Sequence, residues 1–185
     1  KLPTSMSIAE RSTLESRIFH HPDAGCLGLA IFILPVHNVD QNTYYGTIQS
    51  AVTAANANET IEVADGTFNE KVTITKSLSL IGNSEAGCII DGTSLGNGSG
   101  ISISNGVKNV VINNFTIQNH AGNSPNQYAG IYAVGGNDGL EVEHCTIKNN
   151  IGGSGFYANG PVDGVLLNDL EVFGHTNAFG VARGI

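Results

Sequence analysis

Three stretches in the second half of the chain can be written beneath one another without a gap: NVVINNFTIQNH from Asn109, GLEVEHCTIKNN from Gly139 and GVLLNDLEVFGH from Gly164. Within each, apolar and polar positions alternate with period two, the pattern of a strand with one buried face. Four columns point inward: Val110, Leu140 and Val165; Ile112, Val142 and Leu167; Phe115, Cys145 and Leu170; Ile117, Ile147 and Val172. The two residues between the second and third columns break the alternation and predict a turn. A second strand precedes each block, GISIS from Gly100, GIYAV from Gly130 and GFYAN from Gly155, so the repeat is 25 to 30 residues long. No helical periodicity occurs in these units. Short strands, Asn/Gly corners and like-on-like columns predict a coiled parallel sheet, in which each coil buries only its inner face and needs neighbours to complete the core.

Upstream, Ile48, Ala51, Val52 and Ala55 fall at i, i+3, i+4 and i+7, the spacing of a helix with one apolar face. A helix near Thr47 to Asn56 at the end of a solenoid would cover its open core. TIEV, KVTI, SLSLIG and CIIDG then read as the first strands. Before them, Ser7 to Glu10 has the form of a capping box, predicting a short helix to Phe19 ahead of Pro22. Cys26 to Leu34 has the length of a signal-peptide core. No small-residue cleavage site follows it and acids as well as bases precede it, so it reads as a hydrophobic strand or cap element. The predicted organisation is an N-terminal extension or cap over residues 1–41 and a β-helix domain over residues 42–185.

The run T-I-Q-x-A-V, then T-I-x-V-A-x-G-T-F-x-E-x-V-x-I, S-L-x-L-I-G and I-I-D-G resembles the N-terminal portion of right-handed parallel β-helix proteins. These include pectate lyases, pectin methylesterases, and the periplasmic carbohydrate-binding and sugar-hydrolase type repeats. The resemblance extends from about Val36 to the C-terminus. It implies an all-β, right-handed parallel β-helix of about five coils with a short N-terminal capping helix. It also implies a secreted or periplasmic protein whose partner is a polysaccharide or other carbohydrate. The function it suggests is that of a lyase, glycoside hydrolase or carbohydrate esterase, or of a fragment of one; the alternative is a non-catalytic carbohydrate-binding or structural solenoid.

Composition narrows the partners. Charged residues are 13% of the chain, the formal charge is −8 and the sequence pI is near 5.0. Phosphate contacts need clustered Lys and Arg, and no basic patch occurs, so the chain does not read as a nucleic-acid binder. No run of 18 apolar residues is present to span a bilayer. Cys26, Cys88 and Cys145 are too widely spaced for a zinc site of cysteine ligands and read as buried small hydrophobes.

The family motifs that would assign a reaction are missing. Resemblance to pectin methylesterases implies two aspartates and an arginine further along the helix, yet Arg183 is the only arginine after Arg17. The N-T-D, D-D and H-G segments implied by polygalacturonases are absent, as is a G-x-S-x-G elbow around Ser99 or Ser154. Two constellations remain. Asn114, His144 and Asp169 share a column, which reads foremost as a polar corner ladder of the kind commonplace in solenoids; a histidine beside a carboxylate also suits a general base with its orienting group. Asp138, Glu141, Glu143, Asp163 and Glu171 form an acidic set that suits calcium, an acid–base pair or a merely solvated face. Catalytic candidates are therefore His144, Asp169, Asp138 and Asp163, with calcium as the candidate cofactor.

Tyr132 and Tyr157 share an outward column and are candidates for stacking on sugar rings, with outer-face packing as the alternative. His120 and His175 share a column with Asn150 between them, a separation too wide for a shared metal. Thr116 and Thr146 begin a threonine ladder that Glu171 breaks. No polar capping sequence follows Val181, which predicts a homo-oligomer paired through the terminal coil.

Overall fold

The computed structural model describes residues 34–122 and 129–176. A hairpin of β1 (Val36–Asn38) and β2 (Thr43–Tyr45) leads to helix α1 (Ile48–Ala54). Six short strands follow: β3 (Glu59–Val63), β4 (Gly66–Phe68), β5 (Val72–Ile74), β6 (Leu78–Gly82), β7 (Cys88–Asp91) and β8 (Ile101–Ile103). Longer strands then alternate with short ones, as β9 (Val110–Gln118), β10 (Ala129–Ala133), β11 (Glu141–Lys148), β12 (Ser154–Ala158) and β13 (Leu166–Phe173). The readings of residues 1–33, including the capping box and the apolar stretch, lie outside the described residues.

Strands β3, β6, β9, β11 and β13 lie side by side in parallel, and β5, β8, β10 and β12 form a second parallel sheet. β4 pairs with β7, and β7 pairs with the second half of β9. From β3 onward each strand thus pairs in parallel with its counterpart one repeat away, which is the pairing of a parallel β-helix. Three of the four predicted columns hold residue for residue in the strand ladders: Ile112, Val142 and Leu167 are in register, as are Phe115, Cys145 and Leu170, and Ile117, Ile147 and Val172. In β9 and β11 these side chains are fully buried, each contributing roughly 1.5–3 kcal/mol through the loss of apolar surface to water. Those of β13 are only partly buried against the same core.

The predicted turn between the inner columns is a single residue. Asn114, His144 and Asp169 take φ of 64°, 49° and 50°, a left-handed kink that bends one strand across two faces. Cys88 and Cys145 are buried and free, as their spacing suggests. Burial pushes both thiols up, that of Cys145 to about 12, so neither is a nucleophile near neutral pH.

The N-terminal side of the coils is closed by groups far apart in sequence. Ile48, Ala51, Val52 and Ala55 are buried, as the helical spacing predicts. The Glu70 carboxylate accepts from the backbone N–H of Ile48 and Gln49, at 2.9 and 2.8 Å, satisfying the first orphan donors of α1. Lys76 Nζ donates to the carbonyls of Thr53 and Ala55 at the other end. Gln49 Oε1 accepts from Thr73 N at 2.6 Å, so a side chain takes the place of a neighbouring strand at the edge of β5. β1 covers the corresponding edge of β3 in antiparallel register, although it lies before residue 42. Glu59 fastens the hairpin: bonds from Asn38 above all, and from Asn56 and Gln41, hold its carboxyl at about 2 against the opposing desolvation.

Candidate functional site

The kinked strands present two outward faces, and the second sheet presents a third. The sequence-selected residues are distributed over these faces and over the corners between them.

At the corner kink, His144 Nε2 lies 3.8 Å from Asp169 Oδ2, with both side chains well exposed. That is beyond hydrogen-bond length, so the imidazole is not oriented by the carboxylate as a triad base would be. Asn114, one coil earlier, donates its amide to Gly82 O at 3.2 Å, as a corner ladder would.

Asp138 and Asp163 occupy the corner at the opposite end of the same strand segment. A turn and the first half of the kinked strand separate each from the kink, so the four catalytic candidates form two separate pairs. Asp138 is occupied. Lys108 Nζ donates to Oδ2 at 2.5 Å and Asp163 N to Oδ1 at 3.1 Å, and the Lys108 ammonium holds this carboxyl below its usual range. Asp163 is exposed and contributes its backbone to that corner.

The acidic set divides in the same way. Glu141 and Glu143 stand on the first outward face, where Glu143 accepts from Asn113 and Asn168, each at 3.4 Å. Glu171 stands on the second outward face, beyond the kink. Among the described residues no three His, Cys, Asp or Glu side chains converge on one point as cation ligands.

The outer column of the second sheet runs Thr73, Ser102, Tyr132, Tyr157. The tyrosine rings stack with centroids 5.8 Å apart and planes 14° from parallel, and Asn159 Nδ2 donates to the Tyr132 hydroxyl at 3.4 Å. Each half-buried ring spends part of one face on the other.

The second outward face carries a cleft of about 340 Å³, lined by Glu85, Ala86, Ile89, Thr116, Thr146, Lys148 and Glu171. Its floor is the column Ile89, Thr116, Thr146, Glu171 in parallel register. One wall is the loop between β6 and β7. Thr116 Oγ1 donates to Glu85 O at 2.9 Å, and Thr146 Oγ1 donates to Glu85 Oε1 at 2.6 Å. The threonine ladder seen in the sequence therefore anchors this loop. Glu85 and Lys148 carried no signal in the sequence, because Glu85 sits in a polar loop 61 residues from the threonine that binds it.

No family model matches the chain, and no curated protein matches it. Among solved structures, a variant pectin methylesterase in complex with a hexasaccharide is similar to it. The match has 20% sequence identity and a TM-score of 0.46, and covers 67% of this chain and 46% of that one. The chain thus spans about half the length of that structure.

Proposed function

We propose that the chain is a right-handed parallel β-helix of about five coils that engages a polysaccharide. The observation that carries this reading is the stacked pair Tyr132 and Tyr157 on the outer face of a parallel sheet. Stacked, nearly parallel tyrosine rings combine apolar ring surface for sugar C–H groups with polar tips for sugar hydroxyls. Right-handed winding is the ordinary hand of parallel crossovers. A carbohydrate partner outside the cell accords with a secreted or periplasmic location; among the described residues no helix is long and apolar enough to cross a membrane.

A catalytic role is the second reading; it rests on His144 and Asp169 sharing one exposed corner on adjacent coils, where a bound substrate would have to draw them from 3.8 Å into hydrogen-bond range. It makes the chain a lyase, hydrolase or esterase of polysaccharides, with His144 as base, and Asp138 and Asp163 as a separate carboxylate pair for which calcium is the candidate partner. Calorimetric titration with polyuronates and neutral glycans, with and without calcium, tests binding and turnover together. Tyr132→Ala and Tyr157→Ala are each expected to weaken binding up to about tenfold, the upper end of the roughly 0.5–1.5 kcal/mol of an aromatic contact. Turnover that disappears in His144→Ala establishes catalysis. Unchanged affinity in both tyrosine variants would remove the support for the binding face.

The proposed homo-oligomer forms through the terminal coil. The partly buried inner side chains of β13, with Leu166 and Phe173 exposed beside them, support it. Light scattering is expected to report a mass that rises with concentration; a constant monomer mass would count against it.

A further inference from the structure

The geometry points to the cleft of Glu85, Thr116, Thr146, Lys148 and Glu171 as a second glycan subsite that takes an uncharged, hydroxyl-rich sugar ring. This deepens the polysaccharide reading and rests on it, but it uses a different face of the coil from Tyr132 and Tyr157. The cleft is a built feature. Its wall is pinned to two successive strands by the hydroxyls of Thr116 and Thr146, and Thr116 is 4% exposed. At about 340 Å³ it lies at the small end of ligand pockets, which run from about 300 to 1,000 Å³.

Two groups in it are unspent. Glu171 and Lys148 both line the cleft, and neither side chain makes a hydrogen bond or ion pair with any described residue. Glu85 uses one carboxylate oxygen on Thr146 and keeps the other. The site therefore offers two carboxylate acceptors and one ammonium donor beside the apolar surface of Ile89 and Ala86. A sugar ring matches that set, because its hydroxyls both donate and accept while its C–H face lies on apolar atoms. A uronate ring does not. Its carboxylate would meet two carboxylates against one lysine, on a chain of formal charge −8. A calcium ion needs six to eight oxygen ligands and finds only these two carboxylates.

The test titrates the whole 185-residue chain with uncharged oligosaccharides (gluco-, xylo- and galacto-series) and with oligogalacturonate, followed by ligand-observed NMR and calorimetry. An uncharged series is expected to bind at least about tenfold more tightly than the uronate. Glu171→Gln and Lys148→Met are each expected to weaken it about tenfold, through loss of a charge-assisted hydrogen bond. Thermal midpoints equal to the parent's would show that both variants fold. Equal or tighter uronate binding would overturn the assigned sugar class and leave polysaccharide binding standing. Uncharged-glycan affinity unchanged in both variants but lost in Tyr132→Ala would overturn the cleft and leave the tyrosine face standing. No binding of any glycan would overturn both readings together.

Discussion

Gly130→Ala is expected to destabilise the chain by about 3 kcal/mol, the upper part of the range for overpacking a closed core. A Cβ at this position would lie 2.2 Å from Ile147 Cγ2, and 2.9 Å from both Asn150 Nδ2 and Gly155 O. None of these neighbours is free to withdraw. Ile147 is fully buried, Asn150 is nearly so, and the carbonyl belongs to the adjoining strand. The same crowding recurs once per coil: a Cβ at Gly100 would meet Ile117 Cγ2 at 2.4 Å, and one at Gly155 would meet Val172 Cγ1 at 2.3 Å. A glycine stands at the start of β8, β10 and β12 because the sheets converge there on a β-branched side chain. Urea unfolding followed by far-ultraviolet circular dichroism checks the prediction. A midpoint equal to the parent's would show that the coil spacing relaxes around the methyl group.

Acidification is expected to destabilise the fold between pH 6.5 and pH 4, by about 3 kcal/mol through His120 alone. His120 is 3% exposed and its Nε2 has no hydrogen-bond partner. Desolvation lowers its pKa to about 4, opposed by a hydrogen bond to the backbone of Ile90 and by the charge of Asp91, with Lys71 adding to the depression. Protonation would bury a cation whose new N–H finds no acceptor.

The sign follows from proton counting. Between the two pKa values the unfolded chain carries the proton and the folded chain does not. Stability is therefore complete above pH 6.5 and drains away as pH falls to 4. His175 is depressed for the same reason, burial, and adds in the same direction. Asp91, whose three side-chain bonds outweigh desolvation to hold it at about 2, and Glu59 lose their contributions only at lower pH. Urea midpoints at pH 7.5, 5.5 and 4.5 are expected to fall steeply, and His120→Asn is expected to flatten most of the fall. Asparagine suits the column: Asn150, one coil on, donates to Ile117 O as His175 bonds to Ile147 O. Parent midpoints level across that interval would refute the assignment.

The inner columns, the capping helix and the recurring glycine were legible in the sequence because each is a local pattern repeated along the chain. Period-two burial places Ile112, Val142 and Leu167 in one column wherever the coil turns, and the i, i+3, i+4, i+7 set of α1 needs no knowledge of what it covers. The kink residues were legible as a column and as part of a turn, but not as one left-handed residue within a continuous strand. Asn114, His144 and Asp169 look like a chemical series until the backbone shows that they share a left-handed φ and a corner.

What only the tertiary structure decided is which polar groups meet. Asp138 reads as a free carboxylate until Lys108, 30 residues earlier, is seen bound to it. The cleft exists because a loop from one coil is fastened by threonines from the next two, over separations of 31 and 61 residues. Core columns repeat because every coil must bury the same face. Surface contacts between coils depend on loop lengths that vary from turn to turn, so no period in the chain records them.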